Sequence, residues 1–497
     1  MNITAARAVA NAVRTTLGPK GMDKMLVDSS GEVVVTNDGV TILSKMDIEH
    51  PAANMIVEVA ETQEDEVGDG TTSAVVLAGE LLKLAEELVD QDIHPTTVAD
   101  GYRRATVQAG EILEDRAIDV DAQDEDTLQQ VAMTVMTGKS AEDARESLAE
   151  LVVAAIQAAE EDGGVNLDAI EVRTAVGRPA SESELVSGVL IEEEPVHDGM
   201  PTTVSDAAIA LLSTGIEIQE PEIDAEIAVD DPEQLREFQD AERASLRERV
   251  DHIVEAGADV VFTTGDIEDA AAEYLNQAGV LAVEDLDDED LGRLGRVTGA
   301  QLATTATDVT ADGLGHAEEV YTDTVEDEDV VFVTGGDAAE FVTILLRGGT
   351  EGAVDEIERA VLDSLHAVRV AIESGQILPG GSAPEIELSL GLRDYAESVG
   401  GREQLAVEAY ADAIEVIPRT LAENAGLDPI DALVSLRARH DEGDTTTGLD
   451  AVTGDIIDMY EEGVVEPLPV KRQALESAAE AAVMILRIDD VISASGD

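Results

Sequence analysis

Apolar residues recur with helical spacing over most of the first 120 residues and again over the last quarter of the chain. Residues 4–16 follow that period and predict a helix. A hairpin is expected next, because "KMLVDSSGEVVVTNDG" sets two alternating or β-branched runs around Ser30-Gly31. Pro51 opens a helix to about Glu66; another runs from the turn after Gly68 to about Val89, and Pro95 opens a third to about Arg116. From about residue 120 to 190 the pattern predicts helices separated by the loop "MTGKSAED". Between about 190 and 340, the runs "AIALLST", "ADVVFTTG", "VLAVED" and "DVVFVTG" alternate with helical stretches and predict an α/β or α+β domain. Within that region, 231–257 reads as one amphipathic helix, with Leu235, Phe238, Leu246, Val250 and Ile253 at helix-like intervals. After about residue 340 the chain reads as helical again. Two helical ends around a mixed middle predict one domain made from both termini, with the rest inserted.

The cores must be aliphatic: the 497 residues are 44% hydrophobic but only 2% aromatic. Cysteine is absent, so no disulfide or thiol chemistry enters. No run is long and apolar enough to span a membrane, and the start lacks a secretory apolar segment, so a cytoplasmic protein is expected. The formal net charge is −79, from 109 acidic and 30 basic residues spread along the whole length. A disordered acidic chain would be poorer in apolar residues. The balance fits a globular protein adapted to molar salt, where screening removes self-repulsion. It also argues against nucleic acid, whose phosphates need basic patches.

Candidate chemistry centres on Gly68-Asp69-Gly70-Thr71-Thr72-Ser73. Glycine lets the backbone approach a ligand, and the free N–H groups of a helix start attract anions. Asp69 beside a phosphate makes sense if a hard cation such as Mg²⁺ sits between them. Taken alone, a plain Asp69 N-cap with glycines for the turn is the simpler account. "LGPKG" (17–21) is either a helix end followed by proline or a second phosphate-lining turn. "TNDGVT" puts Asp38 in an Asn-Asp-Gly turn, and "PGGSAPE" (379–385) is a glycine turn opening a helix.

These stretches, in this order and with "ILLRGGTEGAVDEIERAV" and "ALESAAEAAVMILRIDDVI", resemble the group II chaperonins of archaea over nearly the whole chain. That resemblance implies a mostly helical equatorial ATPase domain from residues 1–121 and 376–497. It implies an α/β intermediate hinge domain from 122–191 and 341–375, and an α/β apical domain from 192–340. The 231–257 helix would be the protrusion that builds a lid. The implied activity is Mg²⁺-dependent ATP hydrolysis, with K⁺ as a further cation, in a double ring that encloses non-native proteins. The implied partners are other subunits of that ring and unfolded clients.

The resemblance also implies residue roles. Asp69 would bind Mg²⁺. Gly70, Thr71, Thr72 and Ser73 would hold phosphate oxygens, and Gly18 and Pro19 would lie beside the nucleotide. Asp38 and Asp363 would place the attacking water, Asp363 from the intermediate domain, so that hydrolysis requires the hinge to close. Thr137, Gly138 and Lys139 would sense the terminal phosphate. Gly380 and Gly381 would flank the adenosine, with Asp450 and Glu461 toward base and ribose.

Three features depart from the family's pattern. The chain starts at "MNITAARAVA", where relatives carry a further strand shared between neighbours; its loss would weaken a ring. Ser382 replaces a glycine, which is costly if that position needs positive φ. The loop "HDEGDTTTGLDAVTG" is longer than usual. Retention of Asp38, Asp69, Lys139 and Asp363 together favours an active folding ATPase. A nucleotide-binding subunit that merely completes mixed rings is the second reading, and an acidic binding scaffold without ATPase is the third.

Overall fold

The computed structural model describes residues 2–27, 31, 33–138, 144–161, 164–218, 232–325, 328–336 and 341–489. The chain forms two compact units, Met1–Ile156 with Asp162–Val165 and Glu351–Asp497, and Gln157–Glu161 with Asn166–Thr350. Both chain ends thus build the first unit.

The first unit is mainly helical. Its elements are α1 (Asn2–Val13), α2 (Gly39–Ser44), α3 (Pro51–Val67), α4 (Thr71–Asp90), α5 (Pro95–Arg116), α6 (Glu125–Met136) and most of α7 (Arg145–Ala158). After the second unit come α11 (Glu351–Ser374), α12 (Ala383–Ser398), α13 (Glu403–Ile414), α14 (Val416–Asn424), α15 (Pro429–Asp441) and α16 (Leu468–Leu486). The helix starts follow local chemistry: Pro51 and Pro95 supply the fixed φ of a first turn, and the preceding His50 and His94 accept N–H bonds from Ala52 and Thr96. The core is aliphatic, drawn from α1, α3, α4, α5, α12, α13 and α16. Its two aromatics, Tyr102 and Tyr410, meet edge to face with ring centroids 5.6 Å apart. Helices cross closely where glycine allows it: a Cβ at Gly79 would lie 2.4 Å from Ala10 Cβ.

The expected hairpin is an antiparallel pair, Lys24–Val27 with Val33–Thr36; Ser30, in its connection, lies outside the described residues. A three-stranded sheet joins both chain halves, with Gln376–Pro379 between Ile118–Asp119 and Val465–Pro467.

The second unit carries a nine-stranded mixed sheet. The strands run in the order Leu281–Val283, Val260–Thr263, Thr203–Leu212, Gly315–Val325, Glu328–Gly336, Glu184–Ile191, Val342–Gly348, Ile170–Val176, with Leu302–Ala303 beside Thr203–Leu212. Helices α8 (Pro232–Ala256), α9 (Asp269–Ala278) and α10 (Asp288–Thr298) complete it. Helix α8 matches the amphipathic reading, and Leu246, Val250 and Ile253 are buried. Leu235 and Phe238 have side chains outside the described residues.

Two expectations from periodicity need correcting. Residues 170–176 and 184–191 are strands rather than helices, and Val342–Gly348 is a strand buried at every position. An unbroken apolar run does not distinguish a central strand from a buried helix, and sheet partners on both sides decide it here.

Candidate active site

A cleft of about 540 Å³ lies in the first unit. Three helices begin at its wall. Helix α4 starts from the GDG turn, where Gly68 (φ 67°) ends α3 and Gly70 (φ 80°) opens α4. Helix α12 starts after Gly380 and Gly381, with Ser382 at φ 66°. The short α2 starts at Asp38, whose carboxylate accepts the Thr41 N–H at 2.7 Å. Unpaired N–H groups and the positive ends of α4 and α12 therefore face one space.

The sequence candidates converge there. Gly18, Pro19, Asp38, Asp69, Gly70, Thr71, Thr72, Ser73, Thr137, Asp363, Gly380, Gly381 and Asp450 all line the cleft. Gly138 backs it without lining it: a Cβ there would lie 2.5 Å from Pro19 Cα, so the turn after α6 packs on the LGPKG loop. Lys139 lies outside the described residues. Asp363 stands on α11 in the same compact unit as Asp69, so this conformation already brings the two into one cleft.

Glu461 does not line the cleft, and Glu462 does. The reason is local. Asp458 accepts the N–H groups of Tyr460 and Glu461, each at 3.0 Å, and this turn carries Glu461 outward while Met459 is buried. Asp450 is in the wall, but its oxygens already take the Val452 N–H at 2.8 Å and the Thr453 hydroxyl at 2.6 Å. Burial opposes its charge, yet those bonds and Lys20 hold its carboxyl below the usual aspartate range.

Other lining groups carried no readable signal. Ile417, Leu421, Leu449, Met459 and Val464 form an apolar flank. Arg145 lines the cleft and donates to Thr137 Oγ1 at 3.0 Å. Lys471 sits half-buried between Glu385 at 2.7 Å and Glu466 at 3.1 Å. Burial works against its charge, but the two carboxylates drive its ammonium well above the lysine range. Burial, with Glu385 and Asp69 nearby, pushes the Glu466 carboxyl upward despite Lys471. Gln63 locks the turn from below, its Nε2 donating to the Asp69 carbonyl at 2.7 Å and the Val470 carbonyl at 3.1 Å.

The charge balance tests what could bind. Asp38, Glu64, Asp69, Asp363, Asp450, Glu462 and Glu466 face the cleft against Arg145 and Lys471. Among the described residues no donor reaches the Asp69 carboxylate, and no three acidic or histidine side chains form a metal cage of their own. Such a site suits a hard cation that brings its other oxygen ligands with it, as Mg²⁺ does with phosphates and water.

Comparison with known proteins settles the family. The model of the TCP-1/cpn60 chaperonin family matches residues 9–496. The chain belongs to the TCP-1/cpn60 chaperonin family. It is similar to thermosome subunit 1 of Haloferax volcanii and thermosome subunit alpha of Halobacterium salinarum, each 59% identical over 99% of this chain and 88% of theirs. Thermosome subunit beta of Archaeoglobus fulgidus is 56% identical over 100% of this chain and 92% of its own. This chaperonin is thus a chaperone subunit of a ring chamber, and nucleotide use comes with the family. Its haloarchaeal relatives accord with the acidic composition read as halophilic. Among its described residues no helix is long and apolar enough to cross a membrane.

Proposed function

We propose that this cleft hydrolyses ATP with Mg²⁺ and that hydrolysis drives closure and reopening of a cytoplasmic folding chamber. The observation that supports it most is the meeting of the α4 and α12 starts with Asp38, Asp69 and Asp363 in one cleft. The backbone of the GDG turn and of Gly380–Ser382 would cradle phosphates, with Thr71, Thr72 and Ser73 donating hydroxyls. Asp69 would hold Mg²⁺, which neutralises phosphate charge when bound. Asp38 and Asp363 would orient the attacking water, and Asp363 would take its proton. The flank of Ile417, Leu421 and Met459 suits the flat face of the adenine base.

The domain layout follows the same reading: 1–121 with 376–497 equatorial, 122–191 with 341–375 intermediate, 192–340 apical. Its support is the sheet order. Val342–Gly348 lies between Glu184–Ile191 and Ile170–Val176, so the chain enters and leaves 192–340 on adjacent strands, as an insertion would. Partners are further subunits, of one or more kinds, and non-native proteins.

Phosphate release in molar KCl tests the activity. ATP hydrolysis that stops on chelation of divalent cations is expected. Asp363→Ala should abolish most turnover while a fluorescent ATP analogue still binds. Absence of hydrolysis at any salt overturns the reading, and unchanged turnover in Asp363→Ala overturns that residue's role.

A further inference from the structure

Arg359, Asp363, His366 and Val370 lie along one face of α11, at the four- and three-residue spacing that stacks side chains on a helix. Each meets a different part of the first unit. Arg359 Nη1 donates to Thr36 Oγ1 at 3.1 Å, and the same oxygen accepts the Asp38 N–H at 3.1 Å. One buried hydroxyl therefore ties α11 to the turn that presents Asp38. Asp363 follows one turn later and lines the cleft.

His366 packs on the GDG turn. A Cβ at Gly68 would lie 2.3 Å from His366 Cβ and 2.9 Å from its Cγ. Glycine is required there twice over, by this approach and by φ 67°. Val370 then buries against Val67 and Val470. Val470 is itself joined to Asp69 through Gln63. Arg359, His366 and Val370 do not line the cleft, so they touch the chemistry only through what they hold.

We propose that this seam is a positioning device: Arg359 and His366 fix Asp363 in register with both the Asp38 turn and the GDG turn, setting turnover rather than nucleotide affinity. The inference rests on the ATPase reading above. Burial, reinforced by the Arg369 charge, holds His366 below the usual histidine range. In-line attack tolerates little displacement, and a shift of about 1 Å costs roughly a hundredfold in rate. Arg359 meets the Asp38 turn and not the α4 or α12 start, so its loss should leave the nucleotide contacts there in place.

The test measures kcat, the KM for ATP and the affinity of a fluorescent ATP analogue in molar KCl. Arg359→Met removes the donor and keeps the stem. A fall in kcat of about tenfold to a hundredfold, with affinity within about twofold, is expected. Arg359→Lys, which can still donate to Thr36, should recover most of the loss. A second variant guards against a fold defect. His366→Ala, which keeps the carbon over Gly68 and removes the ring, should lower kcat by a smaller factor and leave affinity within about twofold. Wild-type kcat in Arg359→Met, or loss of affinity in parallel with kcat, would each overturn the seam. A wild-type chain without hydrolysis would instead overturn the ATPase reading, and this inference with it.

Discussion

A Cβ built on Gly39 would lie 2.5 Å from Thr72 Oγ1 and 3.3 Å from Thr72 Cα. The start of α2 is thus pressed against the start of α4, and the Asp38 turn and the GDG turn form one rigid corner. Gly39→Ala must push them apart. Overpacking of this kind costs about 1–3 kcal/mol. The expected outcome is a lower melting temperature together with weaker nucleotide binding. Thr72→Ala in the same chain should restore stability, because it removes the atom that is met. Calorimetry on the wild type and the two variants decides; an unaltered Gly39→Ala would mean that the corner yields freely.

Ser382 and Gly381 adjoin on the cleft wall, and both have positive φ, 66° and 59°. The sequence posed the question of whether Ser382 needs positive φ, and it does. Opposite signs are expected at the two positions. Ser382→Gly relieves roughly 1–2 kcal/mol of left-handed strain, partly offset by about 0.5–1 kcal/mol of unfolded-chain freedom, so it should stabilise slightly. Gly381→Ala gains strain and also a contact, because its Cβ would lie 2.6 Å from Met459 Cε and 2.9 Å from the Leu449 carbonyl oxygen. It should cost stability and close the apolar flank to a base. Melting curves and analogue titration check both, and equal effects at the two positions would refute the argument.

What the sequence made legible was local. "GDGTT", "LGPKG", "TNDG" and "PGGS" are turns whose glycines and short oxygen-bearing side chains state their backbone demands directly, and each reaches the cleft. Arg145, Lys471, Glu466 and Met459 were not legible, because only tertiary packing turns them inward. Glu461 and Glu462 adjoin in sequence, and an Asp458 turn alone chooses between them. Val342–Gly348 read like its helical neighbours because burial on both faces erases alternation.

Glu415 is wholly buried and serves three cations. It takes bonds from Ser389 at 2.7 Å, Arg393 at 2.9 Å and Arg419 at 2.8 Å, and from Arg437. Burial opposes the charge, but the Arg437 and Ser389 bonds and the nearby arginines hold the carboxyl below the ordinary glutamate value of 4.5. A carboxyl lowered on folding stabilises the native state at pH above that ordinary value. The contribution fades as pH falls through the lower native value. Glu415→Gln should therefore cost about 3 kcal/mol near neutrality, as breaking a buried ion pair does. Variant and wild type should converge in acid. Denaturant unfolding across that pH range reads the difference, and a gap that persists in acid would assign the loss to packing instead.

Charge crowding is visible inside the second unit, where burial and the neighbouring Asp266, Asp285 and Asp290 raise the carboxyls of Glu193 and Glu284. The same repulsion acts along a chain of 109 acidic residues and 30 basic ones. Screening length shrinks from about 10 Å at 0.1 M salt to about 3 Å at 1 M, so neighbouring carboxylates stop opposing compaction only in strong salt. Subunits of like charge must also approach one another to close a ring. Light scattering in molar KCl with Mg-ATP should therefore give a particle many times the 52.2 kDa chain. Dilution to about 0.1 M salt should dissociate it before the chain unfolds, because contacts between subunits bury less apolar surface than the aliphatic cores. Equal particle mass and equal melting temperature at both salts would show that repulsion does not govern this protein. Dissociation preceding unfolding would place the salt requirement at the subunit contacts, and loss of both together would place it within the subunit.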